Sequence, residues 1–580
     1  MTTPARTQES LWISPTIDPA WAQKIVDEFH IHPVTAQILA ARGFSSLEEI
    51  HRFLYAMLPD LHDPFLMPDM DKAVKRIHEA LVKKESVFVY GDNDVDGMTG
   101  ASLLVEFLRS RGAQVGFYVP NPNVLAQSAL AEALERALAS QCTLMLTVDC
   151  GITGAKEIEF VAQRNIDVII TDHHEPTAKL PHCVATLNPR LINSRYPNRD
   201  LTGVGVAFKL IHALTSYLGS VGMIDPKEID LKRYLDLVAM GTVADMGSLT
   251  GENRILVRYG LMELRKTLRV GVAKLASVCD LNLSNVSASD IASKLAPRLN
   301  SLGRIADPQQ GVELLICRNP EEAQALAEEL DLFNVQRQKI EQQMSEQVVK
   351  YIEDHPEILR EKAIAMASHR WHPGIIAIVA ARIAKQHHRP TVMMAIEKGV
   401  GKGSMRTIPK FPLLPVLKQH KELLLNFGGH DFAAGLTIAE NNIQEFMRRF
   451  IATANETLED VDVTPKLNID AKADFAELTF EFMDSLDLLE PFGNGNPQPV
   501  LCCNAKQAWP PKIVGKTHLK FYLAQGDRIL EGIGFGMAHR RSELLHKDIP
   551  LRVAFCPQIN TFQNKLSIQL LVRDFKVILD

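Results

Sequence analysis

Short apolar runs rich in β-branched residues alternate with helical spacing through the first half of the chain. From about Met70 the apolar positions Ala73, Val74, Ile77 and Leu81 fall on one helical face. Val87-Phe88-Val89-Tyr90 follow as a strand-like run that Gly91 stops, and helix-compatible sequence resumes shortly after Gly97, from Ala101 to Leu108. The strand pattern returns at Val115–Val119, Thr143–Val148 and Ile166–Thr171. Helical spacing separates these runs, from about Ser128 to Leu138 and from about Gly154 to Gln163. Strands alternating with helices predict βαβ units around a mostly parallel sheet. Further on, an apolar helical face spans Leu231 to Met240. A long charged helix is predicted from Asn319 to about Glu353, with Ala323, Leu326, Leu330 and Leu332 as its apolar positions. From about Thr464 the pattern turns to short strands around Leu519–Leu523, Ile529–Phe535, Leu551–Phe555 and Leu566–Leu570. Several such strands with polar turns suit a small five-stranded barrel of the OB type.

These changes of pattern divide an α/β chain into five parts. Residues 1–69 mix short helical stretches with prolines and read as an adaptor segment. Residues 70–318 hold the strand–helix alternation and a helical extension, and 319–361 the connecting helix, a natural strut between domains. Residues 362–463 form a smaller second α/β domain, and 464–580 the barrel.

Three strands end in acidic or imidazole side chains. Asp92, Asp94 and Asp96 follow Gly91 at every second position, Asp149 follows Val148, and Asp172-His173-His174 follow Thr171. In open α/β sheets ligands bind beyond the carboxyl ends of the strands, and parallel strands bring those ends to one edge. A lone aspartate there is ordinarily a helix N-cap; three sets in one array predict a shared site. Like charges about 4 Å apart repel by roughly 4 kcal/mol at an effective dielectric near 20, so the cluster calls for a cation. A divalent metal is the simplest answer. Mixed carboxylate and imidazole ligation suits Mn²⁺, and Mg²⁺ where oxygen ligands dominate. Asp245, after Gly241-Thr242-Val243-Ala244, either caps a turn or adds a ligand. Gly203 and Gly205 weakly suggest a phosphate loop, and close helix packing explains them better. In the second domain, Gly401-Lys402-Gly403-Ser404-Met405-Arg406-Thr407 and Phe427-Gly428-Gly429-His430 set glycine beside polar side chains. That arrangement lets fixed donors approach a phosphate closely, or makes plain turns with solvated charge. On the barrel, Lys512, Lys516, Lys520, Tyr522 and Phe562 are candidates for binding a single strand, with a purely structural barrel as the alternative.

Composition narrows the picture without changing it. The 580 residues are 46% hydrophobic and 23% charged, as in ordinary globular proteins, and the net charge of −6 means that any nucleic acid must be held by local patches and metals. The eight cysteines show no metal-finger spacing and read as small buried residues of a reducing compartment. The N-terminus lacks the apolar core of a signal peptide, and no apolar run is long enough to span a bilayer. The expectation is a cytoplasmic protein with no membrane partner.

Together these residues resemble the DHH phosphoesterase superfamily, whose naming run stands here as Asp172-His173-His174. More narrowly they are similar to the RecJ family of single-strand-specific exonucleases. Its alternating aspartates match Asp92-Asn93-Asp94-Val95-Asp96-Gly97, its Asp-Cys-Gly motif Asp149-Cys150-Gly151, and its Gly-Thr-Val-Ala-Asp motif Gly241 to Asp245. The family's Pro-Arg-x-Asn-x-x-Gly-Arg element matches Pro297 to Arg304. Its associated domain matches Trp371-His372, Gly403 to Arg406 and Gly428-Gly429-His430, and its entry to the OB domain matches Pro491 to Pro497. The chain departs in two places: Asn93 stands where the family usually has an aromatic residue, and Pro122 to Ser128 stand where it usually has an arginine that helps hold the terminal phosphate and, shortly after, Gly-Tyr-Gly.

The resemblance implies a parallel-sheet DHH domain, a connecting helix, a smaller DHH-associated domain and an OB barrel. It implies that Asp94, Asp96, Asp149, His173 and Asp245 hold two divalent ions, Mn²⁺ or Mg²⁺, with Asp92 a further ligand. His174 is expected near the phosphate as donor or general acid, with Asp172 orienting it. Ser404 and Arg406 are expected to grip phosphate, and Arg298, Arg304 and His430 to line a cleft that admits a flexible single strand. The implied activity is hydrolysis of single-stranded DNA from the 5′ end in repair and recombination, alongside a single-strand-binding protein and a helicase. Two other readings stand beside it: a DHH phosphodiesterase for short oligonucleotides or cyclic dinucleotides, and a non-catalytic replication scaffold of the degenerate DHH type.

Overall fold

The structure is a computed structural model that describes residues 10–121, 126–266, 268–546, 549–562 and 565–578. The chain forms two units. One joins Glu48–Val335 to the short stretch Leu489–Gln498; the other joins Met1–Leu47, Gln336–Leu488 and Pro499–Asp580.

In the first unit the Met70–Lys83 helix buries Ala73, Val74, Ile77 and Leu81 as its spacing predicts. Five strands follow: Ser86–Gly91, Gln114–Tyr118, Cys142–Val148, Asp167–Thr171 and Ala185–Leu187. All pair in parallel, in the spatial order Gln114, Ser86, Cys142, Asp167, Ala185. The runs are almost wholly apolar because both faces are covered. Val87, Val89, Leu144, Leu146 and Ile169 join one hydrophobic cluster, while their neighbours Phe88, Met145, Val168 and Ile170 join another. The chain starts at the second position, steps outward to the Gln114 strand, and returns on the other side with the Cys142 strand. Strand order therefore reverses between the Ser86 and Cys142 strands, where such sheets bind ligands. The helix after the first strand begins earlier than its apolar spacing suggests, at Val95, and runs to Ser110. The helix expected over Leu231–Met240 opens as a 3-10 turn and becomes α-helical from Leu235 to Ala244.

The long helix is Pro320–Asp354, 35 residues, or about 52 Å at the standard rise. In the second unit, strands Ile364–Ser368, Thr391–Glu397, Val400–Arg406, Ala433–Ala439 and Leu424–Gly429 form a mixed sheet in that spatial order. The C-terminal strands Leu501–Gln507, Pro550–Phe562, Lys565–Val577, Arg528–Gly534 and His518–Gln525 pair in sequence around a barrel. It closes because the last also pairs with the first. Leu519, Phe521 and Leu523 alternate into its core. The N-terminal strand Leu11–Ile13 adds in parallel to Lys466–Asn468, and Trp12 Nε1 donates to Asp574 Oδ2 at 2.8 Å. Among the described residues, no helix is long and apolar enough to cross a membrane.

Candidate metal centre

The hydrogen-bond ladder of the parallel sheet runs one residue past its strands. Asp92 N–H donates to Val148 O (3.1 Å), Asp149 N–H to Thr171 O (2.9 Å) and Asp172 N–H to Leu187 O (3.0 Å). The three aspartates thus stand in one row across the carboxyl edge. Asp149 is held there with a left-handed backbone, φ +62°, a conformation that costs a residue with a side chain about 1–3 kcal/mol.

Asp94 is the N-cap of the Val95–Ser110 helix, its Oδ1 accepting from Asp96 N–H at 2.9 Å and Gly97 N–H at 3.1 Å. Capping and site building coincide at this residue. Asp96 is fully buried and accepts from the N–H groups of Gly203 (2.6 Å) and Val204 (2.9 Å), which open the helix Gly203–Ser220. A helix N-terminus offers unpaired N–H groups and partial positive charge, so it stabilises that carboxylate. Gly203 is needed for the approach, since a Cβ there would lie 2.5 Å from Asp149 Cβ. The sequence favours close helix packing for this glycine; the close neighbour is the Asp149 side chain, a contact the sequence did not reveal.

Asp245 is the C-cap of the Leu235–Ala244 helix and also points into the cluster. His173 Nε2 lies 3.0 Å from Asp149 Oδ1, 3.6 Å from Asp245 Oδ2 and 3.9 Å from Asp96 Oδ2. Three overlapping groups of potential ligands result: Asp92/Asp94/Asp149, Asp96/His173/Asp245 and Asp149/His173/His174, the atoms of each within 4.8 Å.

Burial, and then the charge of Asp94, push Asp92 up to about 6 and Asp245 to about 7. Burial and the neighbouring carboxylates hold Asp96 and Asp149 well above the ordinary carboxylate range. Asp149 Oδ1 is buried and takes no hydrogen bond among the described residues. A donor set of desolvated, mutually repelling carboxylates with one imidazole between them fits two divalent cations. Asp172 differs. It accepts from the N–H groups of Ile152 (2.9 Å), His173 (2.7 Å) and His174 (3.0 Å) and lies 2.8 Å from His174 Nδ1. Burial opposes its ionisation, but the bond to His174 and that ring's charge overcome the penalty and hold it below the usual range. The same bond lifts His174 to about 9, against burial. Each partner thus favours the charged form of the other.

The Pro297–Arg304 motif lies on the helix Ala296–Ile305, which backs this edge. A Cβ on Gly303 would come within 2.3 Å of Asn93 O, so the helix rests directly on the loop between Asp92 and Asp94. Arg298, from the same helix, donates to Asp331 Oδ1 and Lys294 O, both at 2.8 Å. Arg304 is half-buried.

Comparison with known proteins places these elements. Profiles of the DHH family N-terminal domain, the DHHA1 domain and the RecJ OB domain match residues 86–242, 360–459 and 469–574. The single-stranded-DNA-specific exonuclease RecJ of Bacillus subtilis is 34% identical over 562 residues, covering 96% of this chain and 69% of the relative. That of Escherichia coli is 33% identical over 557 residues, covering 93% and 95%. The chain belongs to the RecJ family. The crystal structure of RecJ from Thermus thermophilus in complex with Mn²⁺ superposes over 98% of this chain and 80% of its own, with a TM-score of 0.82 at 28% identity. The same protein in complex with Mg²⁺ gives 0.75 at 26%.

The motifs of the DHH-associated domain lie in the second unit. Ser404 is buried near the end of the Val400–Arg406 strand, and Arg406 Nη1 donates to its Oγ at 3.1 Å. Burial lowers the Arg406 pKa, with no carboxylate opposing the shift. Register sets Ala433 opposite Arg406 and Gly435 opposite Ser404, and His430 N–H closes the adjoining turn on Ala433 O at 2.8 Å. The three predicted residues therefore lie near one end of this sheet. On the barrel, the Lys512 and Lys520 ammonium groups lie 5.9 and 5.4 Å from the Tyr522 ring centroid. Lys516 sits in the preceding turn with φ +69°. Half-exposed Trp509 meets Tyr522 edge-on at 5.6 Å. The sequence pattern missed Trp509, whose only signal is an aromatic next to Pro510-Pro511. Pro122 lies outside the described residues, as does the side chain of Phe562.

Proposed function

We propose that this chain is a metal-dependent exonuclease that hydrolyses single-stranded DNA, from the 5′ end. The observation that carries the reading is the convergence of three strand-end acid and imidazole sets in one buried cluster, in a member of a family whose relatives are named for that activity. Asp92, Asp94, Asp96, Asp149, His173 and Asp245 would hold two ions, Mn²⁺ or Mg²⁺, which supply Lewis acidity to acidify water and neutralise phosphoryl charge. Asp172 fixes the His174 ring and its charge, and the protonated ring donates a hydrogen bond or a proton to the substrate phosphate. Ser404, Arg406 and His430 bind phosphate, Arg406 as a desolvated guanidinium able to give two parallel hydrogen bonds. Arg304, in the first unit, is also assigned to binding the substrate. We assign Arg298 a bracing role, because its guanidinium already holds Asp331 and Lys294 O. Lys512, Lys520, Tyr522 and Trp509 give the strand a cationic and aromatic track.

The phosphodiesterase reading is not favoured, because a complete OB barrel serves long strands. The scaffold reading is not favoured either, because every expected ligand is present and clustered. A helicase and a single-strand-binding protein, which expose and cover the substrate, are proposed partners in the cytoplasm. The test is digestion of 5′- and 3′-labelled single strands, duplexes and circular single strands with Mn²⁺ or Mg²⁺. Release of 5′ label from linear single strands alone is expected. Release from 3′ ends first, or equal cutting of circles, would overturn the assigned polarity.

A further inference from the structure

We infer that Asn494 is a positioning residue for Asp245 and sets the affinity of the Asp96/His173/Asp245 group for its ion. The inference rests on the two-metal reading above. Leu489–Gln498 belongs to the same unit as Asp245, although the chain on either side of it belongs to the other. The loop is closed on itself: Gly493 N–H donates to Asn496 O (2.8 Å), and the buried Asn496 Nδ2 donates to Leu489 O (2.8 Å) and Pro491 O (2.9 Å). Its root is held by the buried Arg254, whose Nη1 donates to Leu489 O at 2.8 Å.

The tip of the loop takes hold of the turn that follows Asp245. Asn494 Nδ2 donates to Met246 O at 2.6 Å, and Asn494 O accepts from Leu249 N–H at 2.7 Å. The flanking glycines allow the approach. A Cβ on Gly493 would lie 2.6 Å from Leu249 Cδ1, and one on Gly495, at φ +72°, would lie 2.3 Å from Ser248 Oγ. A single side chain is thus presented between two residues that have none.

The turn needs an outside hold. Asp245 ends a helix at its carboxyl terminus, where unpaired carbonyls carry partial negative charge and disfavour a carboxylate. The helix closes with Met246 N–H on Val243 O and Gly247 N–H on Thr242 O. Those bonds satisfy carbonyls upstream of Asp245 and leave Met246 O to Asn494. Met246 itself has a left-handed backbone, φ +55°, and an exposed side chain. Asn494 also walls the recess of about 290 Å³ onto which His173 and Asp245 open. Fixing the Met246 peptide fixes the direction of the Asp245 carboxylate one residue before it.

The experiment is a calorimetric Mn²⁺ titration of the full-length protein at neutral pH, comparing wild type with Asn494→Ala and Asn494→Asp. Melting in EDTA serves as the fold control. Wild type is expected to take two ions. Asn494→Ala should bind one as wild type does and the other about 2- to 13-fold more weakly, the cost of one exposed hydrogen bond. Asn494→Asp should be weaker again, because a carboxylate would face the Met246 carbonyl. Hydrolysis by Asn494→Ala should fall at limiting Mn²⁺ and recover at saturating Mn²⁺. Gly495→Val, which wedges the tip off the turn, should match or exceed the Asn494→Ala effect. A variant isotherm identical to a two-ion wild type, or equal weakening of both ions, would overturn this inference alone. Wild-type protein that takes up no Mn²⁺ would remove the metal reading and this inference with it.

Discussion

Asp92 and Asp245, at about 6 and 7, bind protons in the folded protein that they release near 4 in the unfolded chain. Without metal, stability from these groups is complete below about pH 4 and is lost as pH rises through their folded values. His174, raised to about 9, acts in the same direction, its contribution present below 6.5 and lost as pH rises through 9. The melting temperature in EDTA should therefore fall as pH rises from about 5 to about 8, and saturating Mn²⁺ should raise it most at the upper end. A flat profile in EDTA would contradict the electrostatic account of the cluster. Asp149 makes a sharper case. Asp149→Asn removes a repelling charge and keeps a residue that tolerates the left-handed backbone, so it should abolish hydrolysis while raising the metal-free melting temperature. Asp149→Ala should also abolish hydrolysis but melt below the asparagine variant, because alanine is strained at φ +62°. Near-normal turnover in either variant would sink the two-metal assignment. For Arg406, the loss of charge-assisted hydrogen bonds worth about 1.5–3 kcal/mol predicts an efficiency about 10- to 150-fold lower in Arg406→Ala. Arg406→Lys should recover only part, because it loses the planar fork. Preference for phosphorylated over hydroxyl ends should vanish if the guanidinium reads the terminal phosphate, and persist if it grips the scissile one.

Among the elements, the helix Gly203–Ser220 carries the clearest consequence. Its first two N–H groups hold Asp96, and its first residue touches Asp149. Gly203→Ala should push the helix back from both ligands, lower metal affinity and activity together, and destabilise the fold by about 1–3 kcal/mol through overpacking. Mn²⁺ titration and denaturant melts check the two halves of that statement. The strands and their order of ligands were legible in the sequence because apolar runs and strand-end aspartates are local patterns. The carboxylate clamp of Gly203 was not, because it joins residues 107 positions apart and its sequence signal is a glycine any packed helix could carry. The start of the Val95–Ser110 helix was missed for a related reason: Asp94, Asp96 and Gly97 read as turn formers until the N-cap bonds place them in its first turn. Asp245 left capping and ligation as alternatives; the structure gives it the helix cap and a place in the ligand cluster at once.

At the scale of the whole chain, the barrel and the loop Leu489–Gln498 share one C-terminal stretch but serve different ends. Tyr522→Ala or Trp509→Ala should weaken binding of long single strands, by stacking worth about 1–3 kcal/mol per base, and leave very short ones untouched. Deleting everything after Val463 removes the track and the Asn494 clamp together. That truncation should lose affinity for long strands and also demand more Mn²⁺ on the shortest substrates, a difference that titrating both substrates against Mn²⁺ will expose. Equal losses on long and short strands in the point variants would make the barrel purely structural. The interleaving of the two units also has a consequence in time. The ribosome extends a chain by roughly 5–20 residues per second, and roughly 160 residues separate Val335 from the loop that completes the first unit. For about 8–30 seconds of synthesis after Val335 is added, the Asp245 turn, made earlier still, therefore stands without its clamp. The strand Leu11–Ile13 waits longer still for its partner at Lys466–Asn468, so a segment made before the whole first unit pairs only after most of the chain has followed it.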